Sequence, residues 1–371
     1  MESITIQPGR LTEDDRRLEV EIWVGGEKCE LYYLSDEVKL QPCAEALISA
    51  TLLAAMKQRI GVIEIDLPVS PEFLAGIDQI QDVFQSWKPS YGRVEIRHAG
   101  LQHADPVEKQ TGVFFSAGVD SYYAFLSRRD QINALIYLDG FDIPLEDQAM
   151  RRRMRENLTE ISRRFDIPIY IIETNVRQFQ EKFANWGFSH GSAIASVGHL
   201  LAGEFSHLFL ASGGSPDPNR RYGVHSELDP QWSSPRVRFE HDTNIDRIQK
   251  SRFISQFEPV HDTLRVCLRS PAHGLNCGYC EKCLRSMVYL QVTGDYEKYT
   301  VFERPLELNR LAKYKRIGAS DKDLLYPALT MLEAENNYPD TAKALRKILY
   351  PPSLVKKLIV QGRKIRKKLS L

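Results

Sequence analysis

The chain has 371 residues, of which 43% are hydrophobic and 26% charged, a composition typical of soluble globular proteins with two or three domains. Its 49 lysines and arginines balance 49 acidic residues, so no overall charge directs it to nucleic acid or membranes. The segment MESITIQPGR lacks a signal-peptide pattern, and no apolar run approaches the roughly 20 residues of a membrane span, so we expect a cytoplasmic protein without one.

Residues 1–105 predict a mixed α/β unit. Two alternating segments, LEVEIWV and EKCELYYL, flank Gly25 and Gly26 and predict a hairpin. A buried helix, a strand, an amphipathic helix and a last strand are expected to follow, from AEALISATLLAAM, VIEIDLP, FLAGIDQIQDVFQSW and VEIRH. Nothing here indicates chemistry, and Cys29 and Cys43 are expected in the core because free cysteines are usually buried.

Residues 106–255 alternate between strands and helices. Strands are predicted at TGVFF, 133–139, 168–174 and 207–212, with helices near 120–128, 145–165 and 190–204. Short apolar strands separated by helices predict a doubly wound parallel sheet. Ligands of such folds bind at the carboxyl ends of the strands. The residues expected along that rim are Ser116, Asp139, Glu173, Thr174 and Ser212.

Residues 256–371 contain a cysteine cluster and then a mostly helical region. The tail from Lys356 to Lys368 has seven basic residues and no acid, interleaved with apolar ones. Such a helix could contact RNA, an acidic partner or a membrane surface, although a solvated terminal helix is the simpler interpretation.

The segment FFSAGVDS, residues 114–121, joins the first strand of the alternating region to a helix. A helix N-terminus offers unpaired N–H groups to phosphate oxygens, and Gly118 lets the backbone amides turn toward the anion. Ser116 and Ser121 can add hydroxyl donors, and Asp120 can hold Mg²⁺ or cap the helix. The segment is neither a Walker loop nor GxGxxG. A simple capped helix after a buried strand is the alternative.

This segment resembles the Ser-Gly-Gly-x-Asp-Ser signature of the PP-loop (N-type) ATP pyrophosphatases. The resemblance implies an adenine nucleotide alpha-hydrolase-like fold and a loop that binds the pyrophosphate of ATP while a substrate oxygen attacks the α-phosphate. Ala117 replaces the first glycine, and it fits only if its φ is negative. The expected ATP-binding residues are Ser116, Ala117, Gly118, Val119, Asp120 and Ser121, with Asp139 and His190.

Four cysteines follow the pattern C-x9-C-x2-C-x2-C, namely Cys267, Cys277, Cys280 and Cys283. Paired Cys-x2-Cys turns deliver the soft tetrahedral ligands that zinc prefers, and Gly278 relieves the turn. The spacing therefore predicts a zinc site. An iron–sulfur cluster, redox thiols and unliganded cysteines remain alternatives, and His273 is a substitute ligand.

The two motifs together resemble 7-cyano-7-deazaguanine synthases, which make a nitrile from a carboxylate with ATP and ammonia. CGYCEKCLR (277–285) carries the second half of the likeness, and Lys250 in RIQKSRFIS takes the place of the family's lysine, which implies a catalytic role. The resemblance implies that the zinc is structural.

Two segments depart from that family. Asp139-Gly140-Phe141-Asp142 replaces an aromatic-Gly-Gln-Arg-His run, and SGGSPDPNRRYGVHSELDPQWSS replaces a Tyr-Pro-Asp-x-Arg segment. Both lie on the substrate side, so the chain is interpreted as a diverged paralogue that keeps the ATP chemistry rather than the deazapurine specificity.

Several other residues are candidates for contact with ligands. A helix expected to begin at about Ser189–His190 would direct His190 and Ser192 to the rim. A capped helix with a solvent-facing histidine explains the same segment equally well. The loop 212–234 resembles a lid or binding loop, with substrate contacts expected from His225, Asp229 and Trp232. The pairs His241-Asp242 and His261-Asp262 are interpreted as structural.

The expected function is ATP-dependent adenylation of a carboxylate or amide oxygen, followed by attack of ammonia or an amine, with Asp120 and Lys250 in catalytic roles, and with ATP, Mg²⁺ and Zn²⁺ bound. The sequence leaves a homodimer open. A thiolation-type enzyme acting on tRNA and a non-catalytic nucleotide-binding zinc scaffold are the alternatives.

Overall fold

The computed structural model describes residues 2–213, 221–242, 245–269, 271–312, 319–335 and 337–350. Within them the chain forms an α/β structure, with two compact units divided between Asp246 and Arg247. The basic tail considered above lies outside the described residues.

The first unit contains all the strands of the described part of the chain. Its strands are β1 (Ser3–Ile6), β2 (Arg10–Leu11), β3 (Arg17–Val24), β4 (Glu27–Ser35), β5 (Val62–Val69), β6 (Glu95–Leu101), β7 (Gln110–Phe114), β8 (Ala134–Asp139), β9 (Ile169–Thr174), β10 (Phe205–Leu210) and β11 (Arg238–His241). Its helices are α1 (Ala44–Gln58), α2 (Pro71–Trp87), α3 (Val119–Leu126), α4 (Gln148–Phe165), α5 (Val176–Phe183) and α6 (Trp186–Leu200).

These strands form one sheet in the order β11-β10-β7-β8-β9-β4-β3-β1-β5-β6, with β2 beside β3. Neighbours from β11 to β9 are parallel, as predicted. Strand β4 joins β9 antiparallel, with Tyr33 opposite Thr174. The predicted boundary at 105–106 therefore falls between β6 and β7, two strands of the same sheet.

Helices cover both faces of the parallel part of the sheet. Phe114 belongs to the large core cluster that contains residues of α1, α2, α5 and α6. The next residue, Phe115, points the other way because side chains alternate along an extended chain. Its ring packs edge-on against Tyr122 and Phe125 of α3, and Phe125 packs against Phe165 of α4. The sheet is doubly wound, as the alternating sequence predicts.

The predicted hairpin is confirmed, with Gly25 and Gly26 both at positive φ (55° and 89°), the backbone that a two-residue turn between twisted strands requires. Strand β1 was not predicted. It lies between β3 and β5, parallel to β5. Cys29 and Cys43 are only half-buried and pack at the margin of the core, so their predicted core position is right in part.

The second unit is mostly helical, as expected. Its helices are α7 (Arg247–Ile254), α8 (Val260–Thr263), α9 (Glu281–Thr293), α10 (Leu308–Ala312), α11 (Ala319–Glu335) and α12 (Pro339–Leu349). Among the described residues of the whole chain, no helix combines the length and the apolar character needed to cross a bilayer.

Candidate functional site

The loop 115–118 leaves β7 at the point where the strand order reverses. From β7 the chain adds β8 and β9 on one side, whereas β10 and β11 lie on the other. Such a reversal opens a crevice at the carboxyl ends of the two central strands, and ligands of open α/β sheets bind there. The segment singled out by sequence therefore lies at the ligand-binding position of this topology.

Ser121 holds the bend of this loop together. Its buried hydroxyl accepts hydrogen bonds from the backbone N–H groups of Ser116 (3.2 Å) and Gly118 (3.1 Å) and lies 3.1 Å from the Gly118 carbonyl oxygen. Gly118 is the extended N-cap residue of α3, and Asp120 lies half-buried in its first turn. Ser121 therefore stabilises the bend by hydrogen bonds inside the loop. The sequence had predicted only that its hydroxyl could donate to phosphate.

Ala117 has a φ of +57° and is fully buried. The condition stated for its fit to the signature, a negative φ, is therefore not met. The left-handed region brings Cβ close to the following carbonyl oxygen and costs about 1–2 kcal/mol for a residue other than glycine. The loop therefore requires at position 117 the backbone that glycine adopts readily, and the alanine stores strain at the candidate site.

Asp139, at the carboxyl end of β8, is buried and bound by two arginines. Arg151 donates to both carboxylate oxygens, from Nε (3.0 Å to Oδ1) and Nη2 (2.8 Å to Oδ2), and Arg155 donates at 3.2 Å. Arg151 also pairs with Glu173, the rim residue of β9. These partners raise the pKa of Arg151 above its usual range, with Asp139 the main cause. A nucleotide contact by Asp139 would have to share oxygens that already accept from guanidinium groups.

The Glu173 carboxylate also links the rim to β4. It accepts a hydrogen bond of 2.9 Å from the Tyr32 hydroxyl. Partial burial and this carboxylate raise the pKa of Tyr32 to about 12. Two further rim residues face the protein interior. Thr174 Oγ1 accepts a hydrogen bond from the N–H of Val176, and Ser212 is buried.

His190 lies in the second turn of α6, which begins at Trp186 and not at Ser189–His190 as expected. The earlier start follows from Asn185, whose side chain accepts from Gly187 N. The half-buried His190 ring lies 4.4 Å from the exposed Tyr222 ring, centroid to centroid.

Ser192, the other rim candidate on this helix, lies in the core instead. It accepts from Gln180 Nε2 of α5 at 3.0 Å. Its hydroxyl also donates to the Ser189 carbonyl at 2.8 Å.

His241 and Asp229 form an imidazole–carboxylate pair that sequence reasoning missed. The imidazole Nδ1 lies 2.6 Å from Asp229 Oδ2, and the other carboxylate oxygen accepts from the N–H of His225 (3.1 Å). Asp229 is completely buried, and this burial raises its pKa against the opposing effect of His241. A carboxylate bound to Nδ1 fixes the tautomer, which leaves the lone pair of the neutral ring on Nε2.

His241 is the last residue of β11, at the same edge of the sheet as the loop. It pairs with Leu210 of β10, and Phe209 pairs with Val113 of β7. Because neighbouring strands lie about 4.8 Å apart, the backbone of His241 lies roughly 10 Å from the backbone of Phe114, two strands away. A substrate at the switch point could therefore lie between the loop and this pair.

The other residues expected to touch substrate lie elsewhere. Trp232 is buried in the core, where its carbonyl accepts from His199 Nε2 (2.9 Å). The His225 ring packs edge-on against Trp87. Asp242 forms a buried ion pair with Arg128 (2.5 Å), which agrees with its structural interpretation.

The four clustered cysteines meet in the second unit. All four are buried, and their sulfur atoms lie within 4.8 Å of one another. The Cys267–Cys280 and Cys277–Cys283 sulfur distances are 3.8 and 3.9 Å. A tetrahedral zinc with zinc–sulfur bonds of about 2.3 Å places its sulfur atoms about 3.8 Å apart. The cluster can therefore hold a zinc ion.

The backbone around the cluster is built for these ligands. Buried Asn276 accepts from the N–H groups of Val266 (2.7 Å) and Cys267 (3.1 Å) and donates to the Leu264 carbonyl (2.7 Å). Gly278 has a φ of +72°, and a Cβ there would lie 2.5 Å from the Arg304 carbonyl oxygen. The positive φ and the nearby Arg304 carbonyl oxygen both explain why this turn needs glycine, as predicted. The role of Asn276 could not be predicted from the sequence.

Lys250 is completely buried in α7. It belongs to the second unit, whereas the loop of residues 116–121 belongs to the first. Its predicted action on phosphates stays a prediction.

Comparison with protein-family models, curated proteins and solved structures found no match.

Proposed function

We propose that the protein is an ATP-dependent adenylating enzyme, which converts ATP to AMP and pyrophosphate and forms a carbon–nitrogen bond, with chemistry resembling that of the 7-cyano-7-deazaguanine synthases. The observation that carries this proposal is the bend of residues 116–118, which leads into the first turn of α3 at the switch point of a doubly wound sheet. The N–H groups of Ser116 and Gly118 already donate to Ser121 Oγ, so the groups proposed to meet the oxygens of a triphosphate are those of the first turn of α3, which begins at Val119.

In the first step, an oxygen of the substrate carboxylate attacks the α-phosphorus of ATP. The bond from this phosphorus to the bridging oxygen breaks, and pyrophosphate leaves toward the loop. Mg²⁺, when bound, would neutralise phosphate charge, and the carboxylate of Asp120 offers the oxygen ligand it prefers.

In the second step, the nitrogen of ammonia or of an amine attacks the activated carbonyl carbon, and AMP leaves. The nitrogen must lose a proton, and Nε2 of His241 is the group proposed to accept it. Asp229, bound to Nδ1, would stabilise the imidazolium that results. With an amide as substrate, the same steps pass through an imidoyl adenylate.

Zinc is proposed to have a structural role in the second unit. Four thiolates would complete the tetrahedral coordination of a bound zinc ion and would leave no position for substrate. The burial of these cysteines also favours adenylation over a thiolation-type reaction, which would need a reactive and accessible thiol. A non-catalytic scaffold is the outcome expected if ATP binds without turnover.

The test measures AMP and pyrophosphate released from ATP, with magnesium, ammonia and a panel of carboxylic acids that includes 7-carboxy-7-deazaguanine. We expect AMP formation that depends on one acid and falls at least a hundredfold in Asp120→Asn. Asp130→Asn, at an exposed carboxylate beyond α3, is the matched control and should behave as wild type. Release of AMP with none of the acids, or equal release of AMP by Asp120→Asn and Asp130→Asn, would refute the proposal.

A further inference from the structure

Tyr279 lies between two of the clustered cysteines and points outward, with 36% of its surface exposed. Three guanidinium groups surround its ring. Their Cζ atoms lie 5.9 Å (Arg269), 5.6 Å (Arg304) and 5.6 Å (Arg310) from the ring centroid. We call these four residues the arginine–tyrosine patch.

The patch carries more positive charge than its surroundings offset. Arg310 pairs with Glu307 (2.5 Å), but among the described residues no carboxylate lies within ion-pair distance of Arg269 or Arg304. Like charges held around one point repel each other, and an anion would relieve that repulsion.

Packing alone does not explain three arginines at one ring. The arginines come from three separate segments. Arg269 lies two residues after Cys267, Arg304 lies two residues after Phe302, which forms an isolated β-bridge with Asn276, and Arg310 lies in α10. All three side chains are exposed. A ring has two faces, so a third guanidinium adds charge at the rim rather than stacking energy. The arrangement suits a ligand in which anionic groups alternate with planar rings.

We propose that the arginine–tyrosine patch binds single-stranded nucleic acid: the arginines turn to phosphates, and a base stacks on the face of Tyr279 that a guanidinium group leaves. Arginine forks match phosphate oxygens, and proteins that hold single strands combine cationic grooves with exposed aromatic rings. The adjacent Leu268, 56% exposed, adds apolar surface for a neighbouring sugar or base. The chain has no net charge, so this local excess is not part of a general basic surface. The site does not depend on the adenylation proposed above.

The test is fluorescence anisotropy with labelled twelve-nucleotide RNA and DNA single strands of mixed sequence, titrated with full-length protein at several salt concentrations. The double variant Arg269→Gln/Arg304→Gln should weaken binding at least tenfold and make the log–log salt slope shallower by about 1.4, since each phosphate contact contributes about 0.7 on single strands. Tyr279→Ala should weaken binding roughly five- to 150-fold, the range for loss of one stacked base.

The matched control is Arg17→Gln/Arg97→Gln, two partly exposed arginines of the first unit, which should leave affinity and slope unchanged. Zinc content and circular dichroism check each variant, and if Tyr279→Ala loses zinc, the salt slope of the arginine variant decides alone. Failure of the wild type to bind either strand would overturn the proposal. So would equal binding by the arginine variant, or a preference for polyglutamate over the oligonucleotides.

Discussion

The imidazole of His241 hydrogen-bonds the buried carboxylate of Asp229, 12 residues earlier in the chain, at 2.6 Å. The pair forms because residues 229–232 turn back in a short 3-10 helix against β11. It places an oriented imidazole at the carboxyl end of the sheet, at the same edge as the bend of residues 116–121.

His241→Gln tests whether this imidazole accepts a proton in the proposed reaction. General-base catalysis contributes about 10²- to 10⁴-fold, so product formation should fall by that factor while ATP binding persists. His207→Gln is the control, because His207 also contacts a carboxylate, Glu240, but lies nearer the start of β10. A His241→Gln enzyme with a normal rate and a normal pH profile would rule out this role.

His199 predicts how stability depends on pH. Its buried imidazole donates from Nε2 to the Trp232 carbonyl, and burial lowers its pKa to about 4 from an ordinary 6.5. The unfolded chain binds the proton first as the pH falls, so stability is full above about pH 6.5 and is lost toward pH 4. The loss should be on the order of 3 kcal/mol.

Urea unfolding across this pH range checks the His199 prediction. His199→Gln, which keeps a donor for Trp232, should flatten the pH profile, whereas His103→Gln, at an exposed histidine, should not. Parallel profiles for wild type and His199→Gln would show that the burial of this imidazole does not set the acid limit.

Ala117→Gly should raise the free energy of unfolding by up to about 1 kcal/mol. The change removes the strain of a positive φ, partly offset by the greater freedom of glycine in the unfolded chain. Ala124→Gly, at a buried position inside α3, should instead lower stability by about 1 kcal/mol or more. Thermal unfolding of both variants provides the comparison, and destabilisation by Ala117→Gly would contradict the strained backbone.

Gly278→Ala should destabilise the zinc-binding turn more than Gly294→Ala. Both glycines have positive φ, +72° and +78°, but only at Gly278 would the new Cβ meet a carbonyl oxygen. We expect about 1 kcal/mol from backbone strain at Gly294 and a larger loss at Gly278, with reduced zinc content by mass spectrometry. Wild type should hold one zinc per chain, and iron in its place, or no metal, would contradict the assignment.

Local patterns carried most of what the sequence could predict. The bend after β7 and the four cysteines are contiguous or closely spaced motifs. The hairpin was indicated by two alternating segments that flank the glycine turn at Gly25 and Gly26. The parallel strands β7 to β10 could be found because each is a short apolar run between helices.

Features that depend on contacts between distant segments could not be predicted. Strand β1 has only four residues, and its place beside β5 is set by long-range pairing. His241 lies beside Asp242 in sequence but pairs with Asp229 in space. The positive φ of Ala117 is imposed by the closure of the bend through Ser121, which residue type alone does not reveal.

The most direct measurement is calorimetric titration of a non-hydrolysable ATP analogue with magnesium into wild type and Ser121→Ala. Ser121 closes the bend by binding the N–H groups of Ser116 and Gly118, so its loss should weaken binding at least tenfold. Ser127→Ala, at the exposed end of α3, should bind as wild type does. Equal affinity of Ser121→Ala and wild type, or no binding by wild type, would contradict the assignment of residues 116–121 as the site of the triphosphate.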